Sequence, residues 1–156
     1  MSFDKVLWSI GLTVCVTVFY SIPLFSQEKD KKWDVNNPPL PTKSFTLRTD
    51  EGTWMNIDIS PDGKNIAFDL LGDLFSIPTE GGKAKVLKSG LAYEVQPRYS
   101  PDGKTILFTS DAGGGDNIWQ MNADGSQASQ LTKESFRLLN NPYWLPSGDY
   151  FVARKH

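Results

Sequence analysis

The sequence predicts an all-β chain built from a repeated four-stranded unit, and three observations carry that prediction. A turn signal, Ser60-Pro61-Asp62-Gly63-Lys64, returns unchanged 40 residues later as Ser100-Pro101-Asp102-Gly103-Lys104. A worn copy, Leu145-Pro146-Ser147-Gly148-Asp149, follows another 45 residues on. Between the copies, short β-rich runs are divided by Gly, Asp and Pro turns, and the 156-residue composition, with 12% aromatics, 13 Gly and 10 Pro, favours many short strands over long helices.

The first segment addresses targeting rather than fold. Asp4 and Lys5 precede an uncharged run over residues 6–19, Pro23 stops any helix, and Ser26 stands before a charged stretch. Residues 1–26 are expected to be a signal peptide cleaved near Ser26. A second reading extends the apolar run to Phe25 and keeps it as an N-terminal membrane anchor, since about 20 apolar residues are enough to span a bilayer. Either way the remainder is expected outside the cytoplasm, periplasmic or extracellular. The lone cysteine, Cys15, follows Val14 rather than a small residue, which argues against a lipid anchor and leaves the exported part without thiol chemistry. Residues 27–42 combine a charge cluster with Asn36, Asn37, Pro38, Pro39 and Pro41 and are expected to form a linker.

The repeats occupy residues 43–156. Each turn is preceded by an apolar or aromatic residue (Ile59, Tyr99, Trp144) and followed by a strand: Ile66-Ala67-Phe68, Ile106-Leu107-Phe108 and Tyr150-Phe151-Val152. Ser, Pro, Asp and Gly in this order suit a type I turn joining two antiparallel strands. Downstream, Leu74-Phe75-Ser76-Ile77 with Glu80-Gly81-Gly82 matches Ile118-Trp119-Gln120-Met121 with Asp124-Gly125-Ser126. That makes four strands per unit. A lone sheet of this size cannot cover its apolar faces, whereas blades of about 40–45 residues set around an axis bury them on one another. The expected architecture is therefore a partial β-propeller, two complete four-stranded blades plus the start of a third. Phe45 and Leu47, in the alternating stretch 43–49, are expected on a strand outside the first blade, unpaired or misplaced because the blade it would complete is absent, and Ile59 and Tyr99 in matching places between blades.

These residues resemble the WD40-like repeat of TolB-type β-propellers, in which an aromatic-Ser-Pro-Asp-Gly-Lys turn is followed by an apolar strand, a Gly-Gly or Asp-Gly pair and Leu-Thr. Leu131-Thr132 keeps the last element, and Val86-Leu87-Lys88 departs from it. Segments such as Glu51-Gly52-Thr53-Trp54-Met55-Asn56, Phe68-Asp69-Leu70-Leu71-Gly72-Asp73 and Phe136-Arg137-Leu138-Leu139-Asn140-Asn141-Pro142 are similar to the N-terminal propeller of large exported amidohydrolases. That resemblance implies a propeller of six or more blades followed by a metal-dependent hydrolase domain that cleaves amide-type C–N bonds. The chain is accordingly expected to be a truncated N-terminal piece, non-catalytic in itself, with any metal held in the missing domain. A TolB-like envelope protein-interaction module without enzyme activity is the alternative.

Function classes narrow further on chemistry. A net charge of −2 with interspersed signs offers no nucleic-acid footprint. One His, His156, and no cluster of ligand motifs gives no metal site and no cofactor in this segment. No Gly-x-Ser-x-Gly segment is present, which argues against a self-contained peptidase. Gly113-Gly114-Gly115 lacks the Lys-Ser/Thr of a phosphate cradle. Asp69, Asp73, Asp111 and Asp116 fall at turns, where Asp favours backbone hydrogen bonds over a calcium shell. The remaining candidates are Asn56, Gln96 and Asn141, equivalent amides entering the innermost strand of each blade, with Glu94 and Arg98 beside them. They read either as a ring of polar groups at the mouth of the channel, suited to a protein or peptide partner, or as satisfiers of loop backbone between blades. A membrane contact is expected only if the N-terminal segment stays uncleaved.

Overall fold

The computed structural model describes residues 34–156. The expected leader, residues 1–26, and the linker up to residue 33 lie outside the described residues. Two antiparallel four-stranded sheets follow one another, and both keep chain order across the sheet. Blade 1 holds β1 (Ile57–Ile59), β2 (Asn65–Leu70), β3 (Asp73–Pro78) and β4 (Lys85–Lys88). Blade 2 holds β5 (Glu94–Tyr99), β6 (Thr105–Ser110), β7 (Asn117–Asn122) and β8 (Ser129–Gln130). The third sheet pairs β9 (Leu139–Trp144) with β10 (Phe151–Lys155). The all-β partial propeller is therefore the observed architecture, with two complete blades and the first two strands of another.

The repeated turn folds the same way three times. Gly63, Gly103 and Gly148 each donate their N–H to the carbonyl three residues back, at 2.8, 2.8 and 2.9 Å, with φ of 71, 72 and 77°. Positive φ there is what glycine supplies at little cost. In the two intact copies the Ser hydroxyl donates to the Asp carboxylate at 2.6 Å, while that carboxylate accepts the Lys N–H at 3.1 Å. The serine hydroxyl, followed by the lysine N–H, holds Asp62 and Asp102 below the usual carboxylate range. Leu145 has no hydroxyl, so the third copy keeps the backbone turn without this clasp.

Blades stack through apolar faces. Ala67, Leu74 and Leu87 of blade 1 form one buried cluster with Tyr99, Ile106, Phe108 and Met121 of blade 2. β-Strand alternation produces this, since Ile106 and Phe108 lie two apart on one face and pair across the sheet with Met121 and Trp119. The expectation that Ile59 and Tyr99 pack alike needs correction. Tyr99 is 9% exposed and Ile59 55%, because Tyr99 has blade 1 in front of it and no described residue covers Ile59 in the same way.

The segment of Phe45 and Leu47, expected as an unpaired or misplaced strand, is neither helix nor part of a sheet: residues 41–49 form no ladder. Alternation without a partner edge does not make a strand. Phe45 and Leu47 instead border a depression of about 610 Å3 shared with Leu70, Leu71 and Phe75 of blade 1. The described part of the linker makes a turn at Asp34, and the Asn36 side chain donates to the Ala112 carbonyl at 3.3 Å.

Candidate functional site

The innermost strands carry three equivalent positions in each blade: Asn56, Gln96 and Asn141; then Ile57, Pro97 and Pro142; then Asp58, Arg98 and Tyr143. Gln96 and Asn141 adopt left-handed backbone, with φ of 60 and 51°, and each precedes a fully buried proline. Both sit in β-bulges, where the ladder shifts register between Val95 and Arg98 and opposite Val152 and Arg154. A bulge turns the amide side chain and its own N–H away from the ladder. Asn56 lies outside this pattern.

Hydrogen bonds then run from blade to blade. In blade 1 the Asp69 carboxylate accepts the Asn56 N–H at 2.9 Å and the Asn56 side-chain amide at 2.8 Å. Its second oxygen also accepts the Gln96 N–H of blade 2 at 2.7 Å. One step on, the Gln96 side-chain oxygen accepts the Asn141 N–H at 2.7 Å and the Thr109 hydroxyl at 2.8 Å. Each blade thus offers an acceptor to the bulged N–H of the next, an otherwise unpaired donor in a partly buried place. Lower on the same strands, Asp58 accepts the Tyr99 N–H at 2.7 Å. Arg98 donates to the carbonyls of Pro97 and Ile57 at 2.7 and 3.3 Å and to the Tyr143 hydroxyl at 3.1 Å, with its guanidinium 4.7 Å above the Tyr143 ring. This side chain touches all three blades.

Glu94 is placed differently. It is 1% exposed at the start of β5, where its N–H donates to the Gly72 carbonyl at 2.8 Å and Oε1 pairs with Lys88 Nζ at 3.2 Å. Oε2 has no partner among the described residues. Burial pushes its carboxyl above the usual range against the pull of Lys88, with the charges of Asp73 and Asp111 adding to the rise.

The acidic residues at the turns serve backbone donors. Asp73 accepts the Gly90 N–H at 3.2 Å and Asp111 the Tyr93 N–H at 2.7 Å, both on the segment leading into blade 2. Asn117, at the position of Asp73, holds the corresponding Glu134 N–H at 2.8 Å. Asp116 is raised by burial and by the nearby charge of Asp111. Among the described residues no three His, Cys, Asp or Glu side chains converge as metal ligands. The triple glycine is a turn in which Gly114 donates to the Asp111 carbonyl at 2.8 Å, and the His156 ring lies 3.1 Å from Asn140 Oδ1.

Sequence reasoning found the amides and Arg98 but missed Asp69 and Thr109 as their partners, and Asp58 and Tyr143 as the third inner-strand position. The signal was present. Asp69 and Thr109 each stand 13 residues after their amide, at the same strand position of two repeats.

A stack of four-stranded antiparallel blades joined at bulged inner strands defines the class: part of a β-propeller. The chain belongs to the TolB beta-propeller domain family, whose family model, PD40, matches residues 42–156. It is 34% identical over 97 residues to the uncharacterized protein Atu1656 of Agrobacterium fabrum, covering 60% of this chain and 33% of that protein. Over 65 residues it is 45% identical to the uncharacterized peptidase YuxL of Bacillus subtilis, covering 38% of this chain and 10% of the relative. The Tol-Pal system protein TolB of Bordetella pertussis shares 33% over 59 residues, 37% of this chain and 14% of that one. The chain thus spans about a third or less of these curated relatives. Among solved structures, one assigned as TolB from Agrobacterium tumefaciens aligns with a TM-score of 0.62 at 30% identity over 68% of this chain and 40% of that chain. TolB from Acinetobacter baumannii aligns with a TM-score of 0.57 at 23% identity, covering 66% and 27%, a likeness of fold.

Proposed function

We propose that this chain is a non-catalytic binding and scaffolding segment of an exported protein, whose propeller face takes a protein or peptide partner. The observation that carries this reading is the use made of the polar inner-strand groups. Asp69, Gln96, Arg98 and Asp58 hold neighbouring blades in register, which builds a rigid platform and leaves no acid, base and nucleophile grouped for chemistry among the described residues. Tyr143, half exposed beneath Arg98, gives that face an amphipathic contact of the kind interfaces favour. Export rests on the leader-like residues 1–26 and on the family.

Any hydrolysis belongs to a domain outside these residues. The residue resemblance to amidohydrolase propellers favours a metal-dependent enzyme for amide-type bonds, and the identity to a protein named as a peptidase favours hydrolysis of such bonds more broadly. A TolB-like interaction module without an enzyme domain is the second reading, favoured by the match to a Tol-Pal system protein. Two measurements test the proposal. Fusion of the full chain to a reporter active only outside the cytoplasm should give activity and a new N-terminus at Gln27, and a silent reporter would overturn export. Purified chain with Zn2+ and a panel of peptides and N-acyl amino acids should give no turnover, and turnover that disappears on substituting a residue of this chain would overturn the non-catalytic reading.

A further inference from the structure

We infer that Arg98 is an anchor for a carboxylate, and that the partner taken by the propeller face presents one there. This rests on the reading of that face as a partner surface and adds the chemistry it selects. Arg98 stands on β5, in the middle of the three described sheets, and reaches a neighbour on either side, so neither open end of the array decides its surroundings. A guanidinium carries one positive charge and five N–H groups. Nη1 donates to the Pro97 and Ile57 carbonyls and Nη2 to the Tyr143 hydroxyl, and all three acceptors are neutral. The ion pairs among the described residues join Lys88 to Glu94, Lys104 to Asp102 and Lys155 to Glu134, and none includes Arg98. Its inner-strand counterpart Asp58 spends its carboxylate on the Tyr99 N–H at 2.7 Å. Arg98 is therefore a half-buried cation with no counter-charge, and one N–H on Nη2 and the N–H on Nε have no acceptor among the described residues.

Drawing a charge part-way out of water costs stability unless an opposite charge meets it. Joining blades does not call for that cost. Gln96, two residues earlier on the same strand, reaches the next sheet with a neutral amide. What the guanidinium adds is a charged fork fixed before any ligand arrives. The Tyr143 ring, 4.7 Å away, covers one face of its plane, and the two carbonyls hold Nη1. The unspent N–H groups sit on Nη2 and Nε, neighbouring atoms of that plane, and two neighbouring N–H groups of a guanidinium match the two oxygens of a carboxylate. A single positive charge also balances a single negative one, which selects a carboxylate over a phosphate dianion.

The arginine side chains report this directly. The sequence has four arginines, and Arg48, Arg137 and Arg154 are exposed, so nitrogen-15 labelling of arginine in the full chain gives the Arg98 Nε–H signal with three internal controls. Arg98→Lys assigns the signal by its loss. Should that variant lose its β-sheet circular dichroism, lysine at each of the other three positions in turn assigns it by elimination. Acetyl-Ala-Glu-Ala-amide offers a side-chain carboxylate, acetyl-Ala-Ala-Ala with a free C-terminus offers a terminal one, and acetyl-Ala-Gln-Ala-amide offers none. The Arg98 signal should move and saturate with at least one of the first two, and which of them acts distinguishes an acidic side chain from a chain end. The glutamine peptide should need about tenfold more or higher concentration for the same shift. An Arg98 signal that ignores both carboxylate peptides, four arginines that move together, or an equal response to the glutamine peptide overturns the inference. Inorganic phosphate that binds more tightly than either peptide overturns the choice of carboxylate. Export and the absence of turnover are read by the reporter and the hydrolysis assay, and both stand if Arg98 stays silent.

Discussion

Blade 1 and blade 2 have the same turn, the same strand order and an aromatic pair at the same place, stacked with ring centroids 5.5 Å apart for Phe68 and Phe75 and tilted at 6.4 Å for Phe108 and Trp119. Their surroundings differ. Phe108 is fully buried against blade 1, whereas Phe68 is half-buried on a face that no blade among the described residues covers. Local sequence therefore sets the conformation of a blade, and the neighbouring blade sets how much that conformation is worth. Substitutions at matched positions separate the two contributions, because the change in chemistry is the same and only the neighbour differs.

The largest contrast lies at the aromatics. Phe108→Ala should cost about 4 kcal/mol, the usual loss for a fully buried ring, and Phe68→Ala about 2 kcal/mol, since much of its surface is already in water. Urea midpoints of the two variants against wild type give both values. Equal losses there would mean that blade 1 is covered as fully as blade 2, and the contrast would fail.

Next comes the ladder. Asp69→Ala removes the acceptor for two N–H groups and one side-chain amide, so about 3 kcal/mol is expected. Asn141→Ala should cost about 1 kcal/mol, mostly from placing alanine in a left-handed backbone at φ 51°. If the two losses match in a thermal or urea melt, Asp69 is not holding the junction.

The repeat made the blades legible because turn chemistry is local: Ser-Pro-Asp-Gly-Lys needs no neighbour to fold, and alternation gives each strand a buried face. What was harder to read depends on contacts between repeats. Ile59 and Tyr99 occupy one sequence position and differ in burial through what stands in front of them. Residues 43–49 alternate like a strand and lack an edge to pair with. The amides Asn56, Gln96 and Asn141 were visible as a set, but their role depends on Asp69 and Thr109, which reach them from the neighbouring strands β2 and β6. Asp69 looked like a turn residue because its neighbours in sequence are a turn.

A third contrast sets Gly125 against Gly81, equivalent turn glycines with φ of 92 and 89°. Alanine at either should cost about 1 kcal/mol in backbone strain. At Gly81 a Cβ meets nothing within 4 Å, but at Gly125 it would run into the Leu87 carbonyl oxygen and come within 2.9 Å of the Leu87 Cα on blade 1. Overpacking against backbone raises the expected loss for Gly125→Ala to about 3 kcal/mol. Equal melting points for the two variants would show that the hairpin can swing clear of blade 1.

The smallest effect is a pH dependence where the chain crosses from blade 1 to blade 2, and it has no counterpart in the next crossing. Glu94 is buried beside Lys88, whereas the residue matching Lys88 is Thr132, whose hydroxyl donates to Asn117 at 2.8 Å and accepts the Ile118 N–H at 2.9 Å. Burial raises the Glu94 carboxyl above its unfolded value, and Lys88 only partly offsets this. The folded state therefore favours the protonated acid. Its contribution is fully present below the unfolded pKa and is lost as pH rises from there through the raised folded value. Glu94→Gln cannot ionise and should escape that loss. Relative to wild type, the variant should gain stability between pH 4 and pH 8, even though it forfeits the ion pair with Lys88. Lys88→Met should shift the balance the other way, because removing the cation leaves the buried carboxylate opposed only by Asp73 and Asp111 and steepens the wild-type decline. Urea titrations of the three proteins at several pH values between these limits measure the slopes. If the difference between wild type and Glu94→Gln is the same at every pH, Glu94 does not titrate in this range, and the two crossings are alike in everything but sequence.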